Sequence, residues 1–588
     1  MSWVFSFLEQ AATLTAGLSQ FDTNGLSKHG CLDAPILPHF LTNNPLPHGF
    51  PWGNTQPGGK PPVTGVTRYY DFTISRAFKA PDGYQKSLIL INDQFPGPTI
   101  EANWGDIIQV KVTNGMNDTA EGVTLHWHGQ PQKSSPWYDG VPGISQCPIA
   151  PGSTFTYSFI AESFGSSWYH SHMSAQYTDG LYGPLIVYGP TQLPYDTDLG
   201  PIQVSDYVYA SYLDVIDGAF QRPTVFPQVD NNLINGKGIA NCTETGPGKC
   251  TPAAGLPKFR FEQGKTHLLR LINTGSEGSQ KFSIDNHSMT IIANDYVPIE
   301  PYMTNVVTLG IGQRTDVLVK ATGKANEMFW MRSEIDLLCL GLNSTNSLAL
   351  GAIYYQKANT SLIPKTTGHS WQSNNCANDP LNQTVPLYPA QPPAMPAITE
   401  SLLISVGLNE SGFALFYVNN STFRTNYNNP LLLLTNLGNT SYPDNPEWNV
   451  YNFHKNSSMR LVLQNVWATP HPMHLHGHDF WVLAEGKGDW DGEVTNPDNP
   501  MRRDTHLMMP GTPDEPSYLV IEWKADNPGV WPLHCHTSLH VSGGLLVNIQ
   551  EHPELVQKYQ IPYVMAQTCR DWTTYSGSNL VDQIDSGL

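Results

Sequence analysis

The sequence predicts an all-β protein built from three related β-sandwich domains, and three observations lead there. First, 588 residues are too many for one ordinary core and call for several domains, each with its own. Second, charged residues make up only 14% of the chain, against roughly 25% in an average soluble protein, while 50 glycines, 48 prolines and 11% aromatics give a loop-rich profile. Third, one pattern recurs three times. Trp104–Asn114 (WGDIIQVKVTN), Gln263–Asn273 (QGKTHLLRLIN) and, more faintly, Asn456–Asn465 (NSSMRLVLQN) each open on a polar start, alternate apolar and polar residues as a half-buried strand does, and end on asparagine.

Taken in order, residues 1–62 are rich in Pro, Gly and Asn without a sustained period and are expected to form an arm on the surface. The opening MSWVFSFLEQAATLTAGLSQ makes a poor signal peptide, with Glu9 inside its apolar part and no Lys or Arg before Lys28. Alternation begins at Tyr70, Phe72 and Ile74 and opens a first domain over 63–190. The turn-rich YGPTQLPYDTDLGP at 188–201 separates it from a second over 191–375. A Pro/Asn-rich passage from Ser361 to Pro396 leads into a third over 376–550, and 551–588 remain as a tail.

A net charge of -19 argues against nucleic acid or an anionic membrane as partner, because phosphate would be repelled. The apolar run Leu431–Thr435 is far too short to span a bilayer. Eight cysteines call for an oxidising compartment, and sequons at Asn117, Asn241, Asn286, Asn343, Asn359, Asn382, Asn409, Asn439 and Asn456 point the same way. A secreted, extracellular protein carrying N-linked glycans is expected.

The chemistry concentrates in the histidines. In WPLHCHTSLHVSGGLLV, Trp531–Val547, strand geometry sends His534 and His536 to one face and Cys535 to the other, so one strand touches two sites. His540 follows five residues after the cysteine, and a thiolate with two imidazoles is the trigonal set of a blue-copper centre. A buried cysteine among satisfied core histidines is the bland alternative. It weakens because His126 and His128 (TLHWHG), His170 and His172 (WYHSH), and His474 and His476 (HPMHLHGH) repeat the spacing. With His471 at the head of HPMHLHGH, half of the 20 histidines are then placed as ligands would be.

These four signatures resemble the copper-binding motifs of the multicopper oxidases. FPGPTIEANWGD, DGVPGISQCPIAPG, HVSGGL and the terminal DSGL further resemble the laccases of ascomycete fungi, a likeness that runs from Val66 to Leu588. The resemblance implies three cupredoxin-like Greek-key sandwiches in tandem and four copper ions. Cys535, His471 and His540 would hold a type 1 copper with the non-ligating Leu545 in the axial position, and His126 and His474 a type 2 copper. His128, His170 and His536 would hold one type 3 copper, and His172, His476 and His534 the other; His478 is left structural. Glu277 matches a carboxylate of the substrate pocket, and Asp139 an acid that helps deliver protons to reduced oxygen. Their bland readings are a loop glutamate and an Asp-Gly turn.

By resemblance Cys147 pairs with Cys569 and Cys339 with Cys376. Cys242 and Cys250 are close enough in sequence to close a local loop, leaving Cys31 without an obvious partner. The end of the chain resembles a plug, with Leu588 in apolar space and Asp585 near Ser174 and Ser542 as a proton gate. The activity implied is that of a laccase: one-electron oxidation of phenols and aromatic amines coupled to reduction of O2 to two waters, by a monomer whose partners are small aromatic reductants and O2. A ferroxidase, a bilirubin oxidase and a copper carrier are the alternatives. A ferroxidase would need several carboxylates at the type 1 rim, and Glu277 alone is identifiable.

Overall fold

The computed structural model describes residues 60–116, 121–191, 193–220, 228–242, 250, 255–578 and 583–588, with 25–26, 29–32, 37–38 and 41 of the N-terminal arm. The rest of the arm, including the opening segment, and the sequon at Asn117 lie outside the described residues.

The triplicated segment is the centre of a triplicated architecture. Ile107–Asn114 pairs in parallel with Thr67–Lys79 and antiparallel with Thr154–Ile160. Thr266–Asn273 does the same with Thr197–Tyr207 and Arg314–Lys320. So does Ser458–Asn465 with Ile398–Leu408 and Ser517–Lys524. Each trio anchors one sheet of a sandwich, and a second sheet packs against it. The asparagine that ends each segment has one job in all three copies. Asn114, Asn273 and Asn465 are fully buried. Their amide nitrogens donate to two backbone carbonyls each: Glu121 and Ile149, Gly278 and Leu309, Thr469 and Met509. Their side-chain oxygens accept from the N–H two residues on. Aspartate could not donate these bonds, and an apolar residue would orphan the backbone groups.

The first and third copies alternate in burial as their sequences do. The middle copy is buried on both faces. Leu269 and Leu271 enter the sandwich core, while Ile272, on the opposite face, joins a cluster with Leu88, Leu90 and Trp168 of the first domain. Its second face is covered by a neighbour rather than by water.

Two of the described residues of the arm are anchored to the body of the protein. Leu26 and Leu37 are buried, the first bridging to Phe95 and the second to Asp198, because each inserts a leucine into an apolar cluster. The tail forms a helix, Tyr563–Ser578, that buries Trp572 against Cys147, Met173 and Tyr427. All three pairings expected for the cysteines are present, Cys147–Cys569, Cys339–Cys376 and Cys242–Cys250, and Cys31 carries a free thiol. Among the described residues no helix is long and apolar enough to cross a membrane.

Candidate metal centre

The strand Gly529–Cys535 divides its side chains between two sites, as its alternation requires. On one side Cys535 Sγ lies 3.6 Å from His471 Nδ1 and 3.4 Å from His540 Nδ1, with the two nitrogens 3.1 Å apart. His471 comes from the adjacent strand His471–Leu475, and His540 from the short helix Ser538–Ser542. His471 and Cys535 are sealed off, whereas His540 is partly exposed and forms the outer edge of the site. The backbone of Leu545 is tied to both flanks: its N–H donates to His540 O and its carbonyl accepts from Cys535 N–H. Its side chain is completely buried.

On the other side eight histidines from the first and third domains face one another. Strand pairing places His126 opposite His170 and His474 opposite His534. Across the interface, the ring of His126 stacks on that of His476 and the ring of His128 on that of His474, each at 3.9 Å. The nitrogens of His126, His128 and His474, of His128, His170 and His536, and of His172, His476 and His534 each converge within 4.8 Å. The last two are the type 3 sets expected from the sequence, and the first brings the expected pair His126 and His474 together with His128, which the second group shares.

Hydrogen bonding decides which ring nitrogen faces inward. The Nδ1 atoms of His126, His170, His474 and His534 are held by the backbone carbonyls of Asp139, Ser171, Asp504 and Cys535. His476 Nδ1 is held by Asp139 Oδ2 at 2.9 Å. These rings therefore turn Nε2 to the cage. His128 is reversed: its Nε2 meets Asp504 Oδ1 at 3.1 Å and Thr505 Oγ1 at 3.0 Å, leaving Nδ1 inward. Inward-facing nitrogens of His126, His128, His170, His172, His474 and His536 are buried without any hydrogen-bond partner. Orphaned acceptors on this scale are costly unless an electrophile occupies the space between them. Burial, reinforced by the neighbouring imidazoles, holds His128, His170, His172, His474, His476 and His536 far below the usual histidine range. They are neutral and keep the lone pair a metal needs. Burial pushes the Cys535 thiol up to about 12, so a thiolate forms there when a cation replaces the proton. The donor set, one thiolate with two imidazoles beside eight imidazoles, fits copper.

Glu277 sits next to the mononuclear site. Its Oε1 accepts from Ser538 Oγ at 2.8 Å and from Leu539 N–H at 3.2 Å, beside His540. Burial and the nearby Asp206 charge raise its pKa to about 8. Asp206, which no sequence signal marked, carries the loop that presents it. Its two oxygens accept from the N–H groups of Ser276, Glu277 and Gly278 and from Ser276 Oγ, all within 2.8 Å. Asp139 lies against His126 and His476, its carboxylate turned to their Nδ1 edges. His478 points away from the cage, pairing with Glu551 at 3.2 Å. At the chain end, Ser174 Oγ donates to Asp585 Oδ2 at 2.7 Å and Ser542 Oγ to the carbonyl of Leu588 at 3.3 Å, with Leu588 buried. Arg314, Asp504 and Thr505 also escaped the sequence reading, since they lie far from any histidine motif and meet the cage only through folding.

Fold and site together define a copper oxidoreductase in which a mononuclear centre of one cysteine and two histidines is linked to a trinuclear histidine cage. The comparisons with known proteins agree. Three multicopper oxidase family models match residues 73–192, 199–358 and 412–554. The chain is 36% identical to Laccase-2 of Botryotinia fuckeliana over 90% of its own length and 89% of that protein. It superposes on the crystal structure of laccase from Botrytis aclada with a TM-score of 0.82 at 33% identity, covering 92% of this chain and 97% of that one. It also superposes on Fet3p, described as a multicopper oxidase that functions in iron import, with a TM-score of 0.76 at 27% identity, covering 89% and 98%. The protein belongs to the multicopper oxidase family.

Proposed function

We propose that this enzyme is a secreted laccase that oxidises phenols and aromatic amines one electron at a time and reduces O2 to two waters, using four copper ions. The observation that carries the reading is the linkage of the two sites: Cys535 faces one and its covalent neighbours His534 and His536 face the other. Bound there, copper would supply the one-electron redox chemistry, so that four phenols become four phenoxyl radicals and four protons while O2 takes four electrons and four protons. The chain itself does the rest. His540 gives a donor its nearest approach, since it alone of the mononuclear set reaches the surface. Glu277 would take the phenolic proton, through the Oε1 held at the outer site by Ser538. Asp139 holds His476 by its carboxylate and would pass protons toward the cage. The exposed sequons at Asn286, Asn343, Asn359, Asn382 and Asn439 and the three disulfides support secretion.

Iron oxidation is the second reading, because Fet3p shares the fold. Against it, both oxygens of Asp206 are spent on the loop of residues 276–278, so Glu277 has no second free carboxylate from that side with which to hold Fe(II). Steady-state oxygen uptake with a methoxyphenol, Fe(II) and bilirubin separates the readings. The phenol should be consumed at four molecules per O2 by a blue protein, and Cys535→Ser should abolish both colour and turnover. Preferential turnover of Fe(II) or bilirubin would replace the laccase reading, and a colourless, fully metallated parent would remove Cys535 from the metal.

A further inference from the structure

The second domain supplies none of the histidines, yet one of its loops reaches the cage. The segment GIGQR, residues 310–314, turns between the strands Val307–Leu309 and Arg314–Lys320. At its tip Gly312 adopts a left-handed φ of +81°, and a Cβ there would sit 3.0 Å from His128 Cε1 and 3.0 Å from His536 Cδ2. The neighbouring Gln313 donates its side-chain amide to Thr505 O at 3.0 Å. The loop thus lies directly on two histidines and on the strand that supports a third.

We propose that Arg314 is the positioning residue that closes the trinuclear site, holding Asp504 and through it His128 and His474. Its guanidinium is fully buried and grips Asp504 with both arms, Nη1 to Oδ1 and Nη2 to Oδ2, each at 2.6 Å. Gly312 O, Ser166 O and the face of Tyr296 occupy its other directions, so the fork has one orientation. Asp504 then acts twice: Oδ1 accepts from His128 Nε2 and the backbone carbonyl from His474 Nδ1. Thr505 Oγ1 lies within hydrogen-bond reach of the same two nitrogens and donates to Asp504 Oδ1. Among the cage rings oriented by a hydrogen bond, His128 alone turns Nδ1 inward, its Nε2 being held by the Asp504 carboxylate.

Charge explains why an arginine is tolerated beside a site for cations. Asp295 lies 3.5 Å from Arg314 and is also gripped by Arg503 Nε and Nη2. Two arginines and two aspartates make a neutral quartet. Removing Arg314 would leave Asp504 buried, short of a counter-charge and free to rotate from His128. The fork cannot be replaced by an ammonium, which supplies the charge without the planar pair of bonds. All three domains therefore build the cage, two with ligands and one with the brace that fixes them.

The inference rests on the copper reading, and the experiment separates the two. Full-length Arg314→Gln, Arg314→Lys and Gly312→Ala proteins are loaded with copper beside the parent and titrated with a chelator. Copper per chain, the blue absorption and the electron paramagnetic resonance of each copper type are followed. Disturbing the support of a metal-bound histidine typically costs about 10- to 100-fold in metal affinity. Arg314→Gln should lose trinuclear copper at correspondingly lower chelator and change the type 2 resonance while the blue band persists. Arg314→Lys should fall between it and the parent. Arg314→Lys, which keeps the charge and loses the planar pair of bonds, serves if Arg314→Gln does not fold, and Gly312→Ala, which presses on His128 and His536 without altering charge, shows what a direct disturbance of the two rings looks like. Parent-like chelator resistance and type 2 resonance in Arg314→Gln would overturn the proposal, as would a lowered melting temperature of the metal-free protein with no spectroscopic change. A parent that binds no copper beyond the mononuclear site would instead overturn the copper reading.

Discussion

Truncating Leu588 to alanine tests whether the chain end is a working part. The last four residues are docked by named bonds: Ser174 N–H to Gly587 O at 3.0 Å, Thr425 N–H to Ser586 O at 2.9 Å, Ser586 N–H to Ser542 O at 2.8 Å and Tyr427 OH to Gly587 O at 2.9 Å. Leu588 is 1% exposed and packs in a cluster with Trp137, Val141, Ile144, Val541 and Leu546. Replacing a buried leucine by alanine costs about 2–5 kcal/mol, and a chain end that can partly collapse into the space belongs near ~2–3 kcal/mol. Because the tail's root is stapled by Cys147–Cys569, the loss appears as local release rather than global unfolding. At ~1.4 kcal/mol per tenfold, the released population rises about 30- to 150-fold. Amide hydrogen exchange reads this directly. Ser174, Thr425 and Ser586 should exchange faster by that factor, while amides of His471–Leu475 stay unchanged. If the tail plugs the route to the trinuclear site, oxygen reduction falls with it and anaerobic reduction of the type 1 copper does not. Unchanged exchange at Ser174 and Thr425 would refute the energetic argument. Accelerated exchange with parental turnover would refute the plug.

Two further outcomes are expected. Glu277 accepts a proton only as carboxylate, so kcat/KM for a phenol should climb as pH rises through its pKa, at or below about 8 because a cupric charge nearby favours the ionised form. Glu277→Gln should flatten that climb and slow phenols far more than a donor that loses only an electron; equal losses for both donors would assign it a structural role. Leu545 is buried and its backbone joins Cys535 and His540, so Leu545→Met brings a thioether to the mononuclear copper and should lower its potential in a redox titration. A potential unchanged or raised would move the axial position elsewhere.

What the sequence by itself determined is what depends on short separations and repeated patterns. The division of His534, Cys535 and His536 between two sites follows from the two-residue period of a strand, and the threefold repeat follows from an alternating segment that ends on Asn114, Asn273 and Asn465. His-x-His spacing likewise marks ligand pairs, because both rings leave the backbone on one face. Only the tertiary structure decided which pairs meet, that His128 turns Nδ1 inward, and that the middle domain takes part. Asp206 and Arg314 carry no local signature, since an aspartate in a strand and an arginine after a turn are ordinary residues in sequence. Asp206 acts on a loop 70 residues away and Arg314 on a carboxylate 190 residues away. Hydrogen bonds and ion pairs are set by distances of about 3 Å between side chains. At those chain separations, how strands pair and domains pack determines which groups come that close.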